Sequence, residues 1–390
     1  MFRIGKEEAE AAARVMESKM LFRINDGLKE VEHFEEEWAE TIGTKYSICV
    51  SGGTAALIAA LVGLEIGPGD EVIVPGYTFM ATATAVLAAG AIPVIAEIDD
   101  SLTLDPADVE KKINKNTKAI IPVHICGFPA NMDKIMELAR KYNLKVVEDA
   151  CQADGGSYNG KRLGSIGDAG AFSFNHFKII SAGEGGAFVT DSRRVYERAL
   201  VYHDGGSQFR PYANGLEIQP FMGAQYRISE ILGAILRVQL QRLDGILTDL
   251  RKVKKTIMQA LSDVKNLTFI RSNDIVGDCG TVLAFAFADE KTARTFAASQ
   301  GVNGSLPIDS GKHVFTNWGP VMNKLGGHNN DVNPYLMEKN KELNMNYAKD
   351  MCPKTLDTLS RTVFISLDPD WNEEKINQVI SSCREAAGRI

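Results

Sequence analysis

Residues 71–98 read EVIVPGYTFMATATAVLAAGAIPVIAEI, and this stretch decides the fold class. Two β-rich runs, Glu71–Pro75 and Ile92–Ile98, flank an alanine-rich segment of helical length, Thr78–Ala89. Strand, helix and strand in that order form the repeating unit of a largely parallel sheet covered by helices. Upstream, Thr54–Gly63 (TAALIAALVG) is apolar on nearly every side and reads as a buried helix, stopped by GPGD at 67–70. Downstream, the rhythm predicts a helix over Ala107–Ile113, a strand over Lys118–Ile125, an amphipathic helix over Asn131–Tyr142 and a strand over Lys145–Asp149. Two more β-like runs, Gly170–Phe174 and Gly186–Thr190, precede a helix of about four turns at Arg193–His203.

The segment 204–222 is rich in Gly, Pro and Asn and reads as a surface loop. Sustained helical periodicity over Ile228–Ala260 predicts a long bridging helix, with Gly233 and Gly245 as candidate kinks. The expected organisation is a large domain over 1–245, with an N-terminal helical segment, and a smaller α+β domain over 246–390. A net charge of −7 gives no basic face for nucleic acid. The six cysteines are scattered without a CxxC pair, so neither a zinc site nor a disulfide framework is expected. The charged start MFRIGKEEAEAAARVM does not read as a signal peptide, and no apolar run reaches membrane-spanning length, which points to a cytoplasmic protein.

Five local features carry chemistry, and each also has a bland structural reading such as an N-cap, core packing or a capped strand end. Ser51-Gly52-Gly53-Thr54 runs straight into a helix, whose free amides suit a phosphate. Tyr77-Thr78-Phe79 puts aromatic rings after a strand. Glu148-Asp149-Ala150-Cys151-Gln152 ends another strand in a carboxylate, with an amide three residues on. A buried carboxylate is costly unless a cation meets it, and a protonated pyridine nitrogen is such a cation. Ser173 precedes Lys178 by five residues in an apolar setting, and an amine in such surroundings is kept neutral and nucleophilic. Gly183-Glu184-Gly185-Gly186 then lets backbone approach closely. The order is phosphate loop, aromatic ring, carboxylate and lysine, with 29 residues from Asp149 to Lys178, and coincidence explains it poorly.

Over nearly the whole chain, from FEEEWAETIGTKYSICVSGGTAAL through VVEDACQADGGSYNGKRLGSIGDAGAFSF and GEGGAFVT to YRISEILGAI, the sequence resembles the DegT/DnrJ/EryC1/StrS family of sugar aminotransferases. The resemblance implies the α/β type I aspartate-aminotransferase fold, with a mostly parallel central sheet and a smaller α+β C-terminal domain. It implies pyridoxal 5'-phosphate as cofactor, carried by Lys178 as a Schiff base. Asp149 would pair with the pyridinium, Gln152 would touch the phenolate oxygen and Phe79 would stack on the ring. Gly53, Thr54 and Ser173 would bind the phosphate. Some relatives carry histidine at the lysine position and are dehydratases; lysine here favours transamination.

Two departures stand out. Gly52 replaces a family serine, removing one hydroxyl near the phosphate. Gln225, in Gly223-Ala224-Gln225-Tyr226-Arg227, stands where the family has an asparagine that reaches the neighbouring subunit's phosphate. That contact implies a homodimer with active sites at its interface.

The implied reaction moves an amino group from glutamate or glutamine to a keto or aldehyde sugar. The subgroup most alike acts on an octulosonate 8-aldehyde; nucleotide-linked 3- or 4-ketosugars and keto-inositols are the alternative acceptors. A non-catalytic cofactor-binding regulator is the alternative of another class. His176, Arg210, Arg227 and His313 are candidates for substrate contact.

Overall fold

Alternating β-rich and alanine-rich segments build the chain around one twisted sheet in the computed structural model, which describes residues 3–206 and 208–390. Met1, Phe2 and Ser207, the last within the loop 204–222, lie outside the described residues. Helices α1 (Lys6–Ser18) and α2 (Glu30–Ile42) precede β1 (Tyr46–Val50), α3 (Gly53–Gly63), β2 (Glu71–Pro75), α4 (Ala81–Ala88) and β3 (Ile92–Ala96). Then come α5 (Pro106–Lys112), β4 (Thr117–Ile120), α6 (Met132–Tyr142) and β5 (Lys145–Asp149). A short hairpin, β6 (Ser157–Tyr158) and β7 (Lys161–Arg162), leads to β8 (Ala169–Ser173), β9 (Gly186–Thr190), α7 (Arg193–His203) and the long α8 (Glu230–Leu261). The remainder holds β10 (Thr268–Phe269), β11 (Val282–Ala286), α9 (Glu290–Ala297), α10 (Gly319–Met322), α11 (Pro353–Ser360), β12 (Thr362–Ser366) and α12 (Glu373–Ala387).

The seven-stranded sheet has the order β1-β9-β8-β5-β4-β2-β3. Its pairings are parallel from β8 through β5, β4 and β2 to β3, whereas β9 lies antiparallel to both β8 and β1. One reversed strand therefore sits in an otherwise parallel sheet. Strands covered on both faces read as continuous apolar runs, and β2, β3, β8 and β9 are buried along their whole length. On one face pack α2, α6 and α8, through side chains such as Phe34, Trp38, Ile135 and Leu243. The other face is covered by α3, α4 and α7.

Three expected boundaries differ, each for a local reason. The helix foreseen from Thr78 starts at Ala81, because Tyr77 bridges Val314 and the Thr78 amide donates to the His313 carbonyl at 2.9 Å. The strand foreseen to Ile125 ends at Ile120, since Pro122 has no N–H for the ladder and the chain then turns through Ile125–Gly127. Helix α7 spans 11 residues, three turns instead of four. The long helix α8 is continuous over 32 residues, with no break at Gly233 or Gly245. Gly233 serves packing, because a Cβ there would stand 2.7 Å from the Val31 backbone nitrogen. Glu230 at the start of α8 accepts the Glu30 amide at 2.6 Å and so ties α8 to the start of α2.

The three-stranded antiparallel sheet β10-β11-β12 forms the smaller C-terminal layer. Between β11 and β12 the chain runs back along the large sheet: Asn340 donates to the Gly90 carbonyl at 2.9 Å and the Tyr347 hydroxyl to the Pro93 carbonyl at 2.7 Å. This return path delivers residues 310–318 to the end of β2. No helix of the described residues is long and apolar enough to cross a membrane.

Trp38 anchors one face, with ring centroids 5.0 Å from Phe172 on β8 and 5.2 Å from Phe174 just after it, ahead of Lys178. Trp38→Ala is expected to destabilise the fold by about 3–5 kcal/mol, read from urea denaturation. A loss below roughly 1 kcal/mol would show that this aromatic cluster is not a main anchor.

Candidate active site

Parallel strands bring their carboxyl ends to one edge, where open α/β sheets bind ligands. Here that edge gathers the ends of β1, β2, β5 and β8, followed by Ser51, Gly76, Ala150 and Phe174. Because β9 is reversed, its start at Gly186 lies at the same edge, so the loop 174–185 that carries Lys178 closes over it. Gly52 bridges Gly185 and Asn175 bridges Gly183 across this loop.

Strand alternation decides which acidic residue faces the site. Glu148 turns into the interior, where it meets the His124 ring at 3.1 Å and accepts the amides of Gly164, Ile166 and Gly167. Asp149 points the other way and is 5% exposed. Its Oδ2 accepts the Thr82 hydroxyl at 2.7 Å and its Oδ1 accepts the Cys151 amide at 3.2 Å. A carboxylate offers about four acceptor positions, so these two bonds do not exhaust it. Thr82 lies 2.8 Å from the Thr78 hydroxyl, and since Thr82 gives its proton to Asp149, Thr78 donates to Thr82. The sequence reading missed this relay; its only signal was a pair of threonines four residues apart after β2.

Gln152 is oriented by the Cys126 amide, which donates to Oε1 at 2.9 Å and leaves Nε2 directed to His313, whose Nε2 is 3.5 Å away. Cys126 can do this because it adopts φ 51° in the turn after Pro122. His313 is held through Nδ1 by the Ser310 hydroxyl at 2.7 Å and lies 5.9 Å from the Phe79 ring. Burial, with the charges of Lys312 and Lys178 adding to it, pushes the imidazole down to about 4, so it is neutral at pH 7. The Lys178 charge also bears on the Cys126 and Cys151 thiols, both of which burial drives upward.

Gly53 opens α3, and a Cβ there would fall 2.7 Å from the Cys151 Sγ and 2.9 Å from the Ser173 Cβ. The first α3 amide bound within the helix is that of Ala56, to the Gly52 carbonyl, so the earlier amides are open beside the Ser173 hydroxyl. Thr54 is exposed at the same helix start, and Phe79, 41% exposed, faces the cavity rim.

The remaining candidates lie further out. His176 is exposed, edge-on to Phe177. Arg210 and Arg227 both pair with the buried Asp204, which also accepts the Tyr212 hydroxyl at 2.7 Å, and both guanidiniums stack over Phe22. Their charge is engaged within the fold. Gln225 is exposed beside them, its backbone bridged to Asp204.

The chain matches the model of the DegT/DnrJ/EryC1/StrS aminotransferase family over residues 3–299. It is 42% identical over 266 residues to the dTDP-3-amino-3,6-dideoxy-alpha-D-galactopyranose transaminase of Aneurinibacillus thermoaerophilus, covering 68% of this chain and 70% of that one. It is 31% identical to the spore coat polysaccharide biosynthesis protein SpsC of Bacillus subtilis, over 98% of this chain and 95% of that one. Among solved structures, Streptomyces venezuelae DesV in complex with a ketimine intermediate superposes with a TM-score of 0.80 at 29% identity, covering 98% of this chain and 95% of that one. The residues present fit pyridoxal phosphate: a buried carboxylate with acceptor capacity left for the ring nitrogen, free helix-start amides for the phosphate, and a lysine on the loop at the same sheet edge.

A neutral His313 makes a pH prediction. Its folded value lies below the ordinary 6.5, so its contribution to stability is complete above pH 6.5 and is lost as pH falls toward about 4. His203, pushed down to about 3 by burial, acts in the same sense. NMR titration should find the His313 imidazole with a midpoint about 4; a midpoint close to 6.5 would contradict its buried placement.

Proposed function

The chain belongs to the DegT/DnrJ/EryC1/StrS aminotransferase family, and from that premise we propose that it moves an amino group from glutamate or glutamine to the carbonyl of a sugar held over Lys178. It is a pyridoxal-phosphate-dependent sugar aminotransferase. One observation carries the assignment of roles: Asp149, Gln152, Ser173 and the open amides of α3 meet at one sheet edge under the loop that carries Lys178.

When bound, pyridoxal phosphate supplies an electron sink for the carbon that loses its proton. The residues would hold it as follows. Asp149 keeps the ring nitrogen protonated, and Thr82 and the Cys151 amide fix the angle of its carboxylate. Gln152 offers Nε2 to the phenolate oxygen, its carbonyl being occupied by the Cys126 amide. Phe79 stacks on the ring; Gly53, Thr54 and Ser173 take the phosphate. Lys178 Nζ would carry the cofactor through its aldehyde and, once displaced by the donor amine, would take the proton from the donor's α carbon and return it to the cofactor; with the sugar bound, it would run the same transfer in reverse, placing a proton on the sugar carbon that receives the amine. Neutral His313 beside Gln152 can present a lone pair or an N–H to substrate without adding charge.

The acceptor proposed is a nucleotide-linked keto sugar, since the Aneurinibacillus relative is named for a dTDP-linked 3-amino sugar. An octulosonate aldehyde is the second arm of the test. We place the division between the large domain, 1–245, and the small one, 246–390, inside α8. A homodimer is also proposed, since Phe177 beside Lys178, and Phe209 and Met222 in the loop 204–222, are 74%, 80% and 84% exposed, and Gln225 would be available to the partner's phosphate.

Purified protein with glutamate or glutamine should aminate a nucleotide-linked keto sugar, followed as 2-oxo acid release. Turnover with the octulosonate aldehyde alone would reassign the acceptor, and no turnover with any keto sugar would overturn the reading. Thr82→Val, which removes a hydrogen bond to a carboxylate, should weaken cofactor affinity roughly ten- to a hundredfold. Unchanged affinity in an equilibrium titration would contradict the part given to Asp149.

A further inference from the structure

The Gln152 carbonyl is fixed by one backbone amide, that of Cys126, and the turn presenting this amide depends on support from elsewhere in the chain. Cys126 takes φ 51° and ψ 26°, in the left-handed region, and Gly127 follows at φ 81°. Glycine adopts such angles freely, whereas a cysteine holds them only where its surroundings impose them. The near side of the turn is set beside β5. There the His124 amide donates to the Asp149 carbonyl at 3.0 Å, and the Phe128 amide closes back on the Ile125 carbonyl at 2.8 Å. Neither bond reaches the Cys126 carbonyl.

The far side is held from the three-stranded C-terminal sheet. The Thr281 hydroxyl donates to the Cys126 carbonyl at 2.6 Å, and the Cys279 amide donates to the Gly127 carbonyl at 3.1 Å. The approach is close, since a Cβ on Gly127 would fall 2.6 Å from the Cys279 Cβ. These donors are themselves pinned. The Asp278 carboxylate pairs with Lys254 of α8 at 2.7 Å and accepts the Gly280 amide at 2.6 Å, while Arg251 on the same helix donates to the Asp278 carbonyl at 2.8 Å. Thr281 is 5% exposed and leads into β11, and its carbonyl accepts the Leu367 amide, just past β12, at 2.9 Å.

We propose that Thr281 is a positioning residue for Gln152: by holding the Cys126 carbonyl, its hydroxyl keeps the Cys126 amide on Gln152 Oε1 and Gln152 Nε2 on the side of His313. The inference rests on the contact proposed between Gln152 and the cofactor phenolate and deepens it, giving that contact a support in the other sheet. Without the hydroxyl, Cys126 relaxes toward negative φ and its amide swings off Gln152. The released carboxamide can then turn over, placing a carbonyl oxygen where the phenolate needs a donor.

The first readout needs no cofactor. In protein carrying isotope-labelled cysteine, hydrogen exchange at the six cysteine amides is followed by NMR. Thr281→Val keeps the shape and removes the donor. Its Cys126 amide should exchange about tenfold faster than in wild type, or more, beyond any change at the Cys49 amide in buried β1. Thr281→Ser retains the hydroxyl and should keep the wild-type rate. A role confined to packing would leave Cys126 unchanged or raise Cys49 and Cys126 equally, and either result overturns the proposal. Should Thr281→Val fail to fold, wild type decides: its Cys126 amide should be protected about a hundredfold over a free peptide, and exchange at the free rate overturns the proposal.

The second readout is spectroscopic. An N–H donor draws negative charge from the phenolate oxygen and weakens that oxygen's hold on the proton of the neighbouring imine nitrogen, so it lowers the pH midpoint of the visible band. With pyridoxal phosphate bound, that midpoint should rise by about half a pH unit or more in Thr281→Val and stay in place in Thr281→Ser. Midpoints equal within about 0.2 pH unit in wild type and Thr281→Val overturn the proposal. Absence of the band from wild type would sink the cofactor reading, and the exchange rates would still decide the link from Thr281 to Gln152.

Discussion

A carboxylate buried at the end of a parallel strand has to be met by positive charge, and the arrangement around Asp149 follows from that constraint. Thr82 and the Cys151 amide occupy part of it and set its direction, leaving acceptor capacity over. A pyridinium nitrogen would answer that need in charge, with its one N–H for the carboxylate. Once the ring is pinned there, the other groups have fixed tasks. In the proposed arrangement the Gln152 amide, locked by Cys126, would lie beside the ring, the helix start at Gly53 at the phosphate end, and the Lys178 loop across it. Thr78 and Thr82 extend the constraint into the turn before α4, which explains why that turn is held extended by residues 313 and 314.

The single reversed strand does as much for the site as any side chain. With β9 antiparallel, the β8–β9 connection is a short loop at the carboxyl edge and needs no crossover helix. The loop is stitched at both ends, by His176 to the Gly183 carbonyl at 3.0 Å and by Ala182 to the Phe174 carbonyl at 3.1 Å. A lysine on such a loop can be held over the sheet edge while its amine exchanges partners. Glycines at 183, 185 and 186 make this closeness feasible: a Cβ on Gly186 would stand 2.6 Å from the Gly52 carbonyl carbon, and Gly183 and Gly185 take φ 86° and 138°.

What the chain reveals without coordinates is what is local in it. The β5 strand and its terminal Asp149, the apolar α3 and the long α8 each rest on contiguous patterns, and the structure has them within a residue or two. The pairing of Asp149 with Thr82 is 67 residues apart in sequence, and the Gln152–His313 approach 161; no window of periodicity spans them. His313 was a candidate with no means of placing it, since its position depends on the return of the C-terminal segment along the large sheet. Arg210 and Arg227 show the reverse case. They were candidates for substrate contact, and nothing in the sequence signals that Asp204, fixed at the end of α7, pairs with both.

The central claim is that the Lys178 amine, and no other, joins the cofactor in the cavity floored by Asp149. Borohydride reduction of the cofactor-loaded protein, followed by digestion and mass spectrometry, tests it directly. The account predicts a pyridoxyl mass on the peptide containing Lys178 and on no other; a label on a different lysine, or none anywhere, would contradict it.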